Sequence, residues 1–261
     1  SFLNSKPLIE PLLERAGVKV HFAVPSALLG WLENEREEQA RAALLPVVDY
    51  QVCKQELVLL PAGCIACAGP TLTVRIFSPV PPGEMKTLYC DTDSHTSVIL
   101  AQVILRRRYG VKVNILPLTE FRGQSADRGG LLLIGDKVVN AAPEAGYPYQ
   151  LDLGEEWWEL TGLPFVFACW MAPAHLPISE LQRLFQILAA GQQAGAGMTE
   201  KLLDKYAAVK RWPRELARRY FTEYLRYAWT DAMTDGLRKF YELAQAEGLL
   251  QVARGIQMCR G

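Results

Sequence analysis

The chain of 261 residues is long enough for one large domain or two small ones, and 50% hydrophobic against 21% charged residues is the balance of a packed globular protein, not of a disordered one. Its 28 Lys+Arg are matched by 28 Asp+Glu, so no net basic field draws it to nucleic acid or anionic lipid. No apolar run approaches the roughly 20 residues that a membrane helix needs.

Ser1-Phe2-Leu3 reads as the tail of a strand whose beginning lies upstream, entering the polar turn Asn4-Ser5-Lys6 and a helix over Pro7–Ala16 that Gly17 stops. Val18–Val24 alternates as a strand, and Ser26 is a candidate N-cap for a helix running to about Ala40. Ala43–Leu45 is a short, continuous apolar strand of the kind buried on both faces of a parallel sheet. Further strands are expected at Glu56–Leu60, Cys64–Ala68 and Leu72–Phe77. The Pro- and Gly-rich stretch 78–83 is the clearest punctuation. After it the alternation restarts: strand Thr87–Cys90, helix Thr96–Tyr109, then strands Val111–Leu116 and Leu131–Ile134. A Trp-rich helical turn precedes a strand at Phe165–Met171, and from Pro177 the pattern is nearly all helix. There Leu216, Tyr220, Tyr224 and Tyr227 recur at the spacing of a core-facing stripe.

This order predicts an α/β protein with two lobes. Residues 1–78 and 170–261 form lobe I and residues 79–169 lobe II, with the chain crossing in the strands at 72–77 and 165–171. A cleft between such lobes is where strand ends and helix N-termini converge on a small ligand.

Four segments at strand ends carry polar groups suited to such a cleft. Asn4 offers a donor and an acceptor, or simply caps a turn. If Gly69–Arg75 is extended, Thr71, Thr73 and Arg75 share one face, which is either a binding surface or an ordinary Thr-rich strand. Ser94, His95, Thr96 and Ser97 open an apolar helix whose free N–H groups suit a carboxylate or phosphate, although the same residues serve plain capping. Gly135-Asp136 ends a buried strand, where Gly permits close backbone approach to a ligand or makes a turn.

Other features read as structural. No P-loop, G-x-G-x-x-G, H-E-x-x-H or G-x-S-x-G is present, so neither metal nor nucleotide cofactor is implied. Cys64 and Cys67 form a lone C-x-x-C in an apolar context and, with the other four cysteines, read as buried reduced thiols of a cytoplasmic protein. Arg106–Arg108 at a helix end read as solvated, and Trp157-Trp158 as packing between lobes.

Together, F-L-N-S-K-P-L at 2–8, A-L-L-P-V-V-D-Y at 43–50, G-P-T-L-T-V at 69–74, S-H-T-S-V at 94–98, L-L-I-G-D at 132–136 and D-L-G-E-E-W-W-E-L-T-G-L-P-F-V-F-A-C-W at 152–170 resemble, in that order, the chorismate dehydratase family of the futalosine route to menaquinone. The resemblance implies the two-lobed fold of type II periplasmic binding proteins, and loss of water from chorismate to give 3-[(1-carboxyvinyl)oxy]benzoate without a cofactor. It also implies catalytic roles for Asn4 and for Thr73, which stands where the family usually has Ser, and an anion-binding loop at Ser94–Ser97 with His95 where Arg is usual. On this reading Ser5, Lys6, Arg75, Gly135 and Asp136 complete the substrate-binding set. The sister enzyme of the same fold, which makes 1,4-dihydroxy-6-naphthoate, carries a catalytic His where this chain has Gly135-Asp136. A non-catalytic solute-binding protein is the other reading of the same cleft. Chorismate is the expected partner.

Overall fold

The computed structural model describes residues 2–23, 25–32, 40–91, 95–122, 129–141, 147–251 and 254–259. In chain order the elements are α1 (Lys6–Leu13), α2 (Pro25–Leu32), β1 (Ala43–Pro46), α3 (Val47–Val52), β2 (Leu57–Cys67), β3 (Val74–Ser78), β4 (Thr87–Cys90), α4 (His95–Tyr109) and β5 (Asn114–Pro117). They continue with β6 (Gly130–Ile134), α5 (Asp136–Ala141), β7 (Tyr149–Asp152), α6 (Leu153–Thr161), β8 (Phe165–Pro173), α7 (Ile178–Ala196), α8 (Thr199–Tyr206), α9 (Arg214–Arg219) and α10 (Asp231–Ala246).

Two sheets organise these elements, a three-stranded one in the order β1-β8-β2 and a five-stranded one in the order β5-β4-β6-β3-β7. The first is antiparallel throughout. The second is mixed: β4 runs parallel to β5 and β6, while β3 is antiparallel to β6 and β7. Ala43–Leu45 therefore lies in an antiparallel ladder against β8 rather than in a parallel sheet. A continuous apolar run reports burial on both faces and is silent on strand direction. The runs at 57–60 and 64–67 merge into the single strand β2, which keeps its pairing with β8 through a register shift between Leu60 and Cys64.

The crossing strands each commit to one sheet. β3 pairs only with β6 and β7, and β8 only with β1 and β2. The chain instead passes between sheets in the turn 68–73 and through α6. One apolar core joins the two sides, running from Leu45, Leu59 and Cys169 to Ile76, Leu88 and Leu132. Within it Trp157 stacks edge-on to Phe165 and Phe240, while Trp158 is exposed. All six cysteines are buried, and none forms a disulfide among the described residues. Burial pushes the Cys64 and Cys67 thiols up, which keeps them protonated and unreactive.

Val18–Ala23 forms no ladder among the described residues and faces β1 across open space. An alternating sequence becomes a strand only where a neighbouring backbone supplies the ladder. The helix read from Ser26 begins at Pro25 and is described to Leu32; residues 33–39 lie outside the described set. The three arginines at the end of α4 are ion-paired, Arg106 and Arg107 with Glu247 and Arg108 with Glu156 and Glu159; Arg107 stays exposed, as expected, while Arg106 and Arg108 are half-buried. No helix among the described residues is long and apolar enough to cross a membrane.

Candidate active site

A cavity of about 1230 Å³ opens between the two sheets. Its polar end is built by the elements that finish nearest the sheet edges. Asn4 and Ser5 come from a 3-10 turn over Leu3–Ser5 before α1, Thr71 and Thr73 from the turn before β3, and Thr96 and Ser97 from the first turn of α4. Gly135 and Asp136 join them from the end of β6, together with Lys210 and Tyr220 from the C-terminal helices. The cavity continues between Val18–Phe22, Arg41–Leu44 and the α7 side chains Leu184 and Leu188, where the charged groups of Lys19, Arg41, Glu180 and Arg183 line it beside apolar ones.

Thr73 is the most constrained member. Its N–H donates to Thr71 O at 2.8 Å, closing a three-residue turn around Leu72, whose φ is +66°. A β-branched or bulky residue rarely holds such a φ, so something must pay for it. The Asp152 carboxylate does: it accepts from Thr71 N (2.9 Å), Leu72 N (2.7 Å), Gly154 N (3.0 Å) and Glu155 N (3.3 Å). This buried side chain thus caps α6 and pins the threonine turn with the same two oxygens. The Thr73 carbonyl in turn accepts from Gly135 N at 2.8 Å.

Gly135 has φ +58°, and a Cβ there would stand 2.6 Å from the Phe2 ring. The glycine read from sequence as permitting ligand approach therefore also lets Phe2 seat against β6. Asp136 accepts through Oδ1 from Leu3 N (3.3 Å) and Trp212 Nε1 (3.1 Å), and its Oδ2 lies 3.2 Å from Lys210 Nζ. The Gly135-Asp136 pair consequently clamps both the Asn4 turn and Thr73 while lining the cavity.

Tyr220 completes this end. Its hydroxyl is 2.6 Å from Thr73 Oγ1. The ring stacks on Trp212 at 4.9 Å, and the backbone widens there into a π-helical turn closed from Leu225 N to Tyr220 O. Burial pushes the phenol well up, so it stays protonated.

Three residues of the expected binding set do not line the cavity. Arg75 lies in β3 with its guanidinium 5.5 Å from the Phe77 ring, on the face opposite Val74, which does line it. The threonine turn breaks the two-residue alternation before the strand starts, so Thr71 and Thr73 do not share a strand face with Arg75. Lys6 is buried at the start of α1, over the Tyr206 ring at 4.3 Å. Burial holds its ammonium below the usual lysine range, helped by Lys210 and opposed by Glu10 and Asp136. His95 places Nδ1 3.0 Å from Asp49 Oδ1 rather than facing the cavity. Ser94 lies outside the described residues. Lys210 and Tyr220 escaped the sequence reading because a Tyr in a periodic helical stretch carries the signature of core, and a lone Lys carries none.

Comparison with known proteins follows the same lines. Residues 1–246 match the family described as menaquinone biosynthesis. The chain is 27% identical over 228 residues to the chorismate dehydratase of Thermus thermophilus, covering 79% of each protein. In fold it is similar to a protein of Archaeoglobus fulgidus (TM-score 0.69, 14% identity, 95% of this chain and 96% of that one). It is similar also to the periplasmic aliphatic sulphonate binding protein of Escherichia coli (TM-score 0.62, 14% identity, 99% and 90%). The architecture is therefore the two-lobed α/β fold of type II periplasmic binding proteins. The chain belongs to the menaquinone biosynthesis family.

Proposed function

We propose that this protein is a chorismate dehydratase, a cytoplasmic hydro-lyase that uses no cofactor and supplies 3-[(1-carboxyvinyl)oxy]benzoate to menaquinone synthesis. The observation that carries the reading is the cluster of Asn4, Thr73 and Tyr220 at the polar end of an interlobe cavity, in a chain similar to a chorismate dehydratase over most of its length.

Chorismate is a dianion with a hydroxyl on C4 and a hydrogen on C3. In the elimination the C3–H bond breaks, its electron pair becomes a ring double bond, and the C4–O bond breaks with the oxygen leaving as water. Aromatisation makes the reaction strongly downhill, so the site has to bind the charges, hold one conformer and receive the departing hydroxyl. Asn4 and Thr73 supply hydrogen bonds to that oxygen. A carboxylate of the substrate itself takes the C3 proton and passes it to the departing hydroxide, so that water leaves and the carboxylate is regenerated. The first turn of α4, with Thr96 and Ser97, meets one carboxylate. Lys210 takes the second-contact role that sequence assigned to Lys6 or Arg75, because it is the one of the three that lines the cavity.

Purified protein incubated with chorismate alone tests the reading, with product identified by mass and ultraviolet absorbance. Conversion to the enol-ether benzoate without added metal or nicotinamide is expected. Binding of chorismate without turnover would point to a solute-binding protein, and formation of the dihydroxynaphthoate from its own precursor would point to the sister activity.

A further inference from the structure

We propose that Tyr220 is a positioning residue of this site, whose phenol sets the hydrogen-bond polarity of Thr73 so that it presents a proton to the departing hydroxyl; the proposal rests on the chorismate dehydratase reading above. Proton counting gives the argument. A threonine hydroxyl has one proton, and a phenol has one. Only one proton can lie between Tyr220 Oη and Thr73 Oγ1 at 2.6 Å. If it is the tyrosine's, the threonine proton is free to point into the cavity. If it is the threonine's, Thr73 offers the leaving oxygen only lone pairs, which an electron-rich hydroxide does not need.

The first arrangement is the one the surroundings favour. The phenol remains protonated and able to donate, because burial and the nearby Asp136 both disfavour a phenolate. The ring is held without help from its hydroxyl: it stacks on Trp212, whose indole N–H is tied to Asp136, and the π-helical turn fixes its backbone. A tyrosine that merely filled the core would have no reason to set its hydroxyl against a threonine of the cavity. That bond transfers no proton in the elimination; Tyr220 acts through Thr73.

Tyr220→Phe removes one oxygen and keeps the stack. It is expected to lower kcat by about 10- to 100-fold while KM stays within about threefold. The same change made in Thr73→Ala should cost less than about threefold, because the partner it orients is gone. In Thr73→Ser, where the hydroxyl remains, the full penalty should return. A merely structural defect would appear equally in all three backgrounds, and that result overturns the proposal, as does a Tyr220→Phe enzyme with wild-type kcat or with the loss confined to KM. A wild-type protein that leaves chorismate intact rejects the underlying activity instead, whereas an active wild type with an additive cycle rejects this inference alone.

Discussion

Thr73 shows how a single side chain is placed. Its amide, carbonyl and hydroxyl are each engaged, by Thr71 O, Gly135 N and Tyr220 Oη, so its χ1 and its height above β3 are determined before any ligand arrives. Such preorganisation is what makes one donor valuable at a developing charge. Thr73→Ala and Asn4→Ala should each lower kcat by about 10²-fold with a smaller rise in KM, and Thr73→Ser should retain most activity because it keeps the hydroxyl. Steady-state kinetics on the three variants decides it; near-normal kcat in both alanine variants would leave these residues as cleft walls only. The sequence pointed to both positions because polar residues that interrupt apolar strand ends are conspicuous. It could not point to Tyr220, since nothing local separates a buried phenol facing a cavity from one facing Leu and Phe.

At the scale of elements, the junctions between strands and helices do the positioning. Gly135 combines a left-handed φ with a neighbour at 2.6 Å, so Gly135→Ala meets both backbone strain and the Phe2 ring. A loss of about 1–3 kcal/mol in stability is expected, read as a lower melting temperature, with kcat falling because the Thr73 carbonyl loses its anchor. Asp152→Asn should act similarly by weakening an acceptor shared by four N–H groups. The junction of α1 with α8 titrates. Burial pushes the Glu10 carboxyl up, but hydrogen bonds from Lys205 and Tyr206 outweigh it and hold it below its ordinary 4.5. A depressed folded value means the contribution is present above the unfolded value and is lost as pH falls through the folded one. Melting temperature should therefore drop on the acid side of about 4.5, and Glu10→Gln should flatten that slope while leaving a lower plateau at neutral pH. These junctions are only partly legible in sequence. Gly135 and the Asp152 cap carry local signals, whereas the failed strand at Val18–Ala23 and the merged β2 depend on which backbone happens to lie alongside.

On the scale of the whole molecule, the two sheets meet at the helix N-termini that follow β1 and β4. Thr96 Oγ1 accepts from Val48 N at 3.3 Å, joining α4 to α3 across the cavity floor. Beside it His95 pairs with Asp49, a carboxylate that is 0% exposed and whose second oxygen has no hydrogen-bond partner among the described residues. The alternation of strands and helices made two lobes legible. The pairing that fastens α3 to α4 was not, because residues 46 apart in sequence give no sign of contact. His95 gives its Nδ1 to Asp49 on α3, so removing it should act on how α3 and α4 are held against each other beside the cavity. His95→Ala leaves Asp49 buried without its partner, a cost on the order of 1–3 kcal/mol, and should raise KM about 3- to 10-fold with kcat little changed. The double variant His95→Ala, Asp49→Asn removes the orphaned charge and should recover much of the melting temperature but not the KM, since the link between α3 and α4 stays broken. A His95→Ala protein with unaltered KM, or a double variant that restores it, would show that the pair serves stability alone and that Thr96 and the shared core suffice to hold α3 against α4.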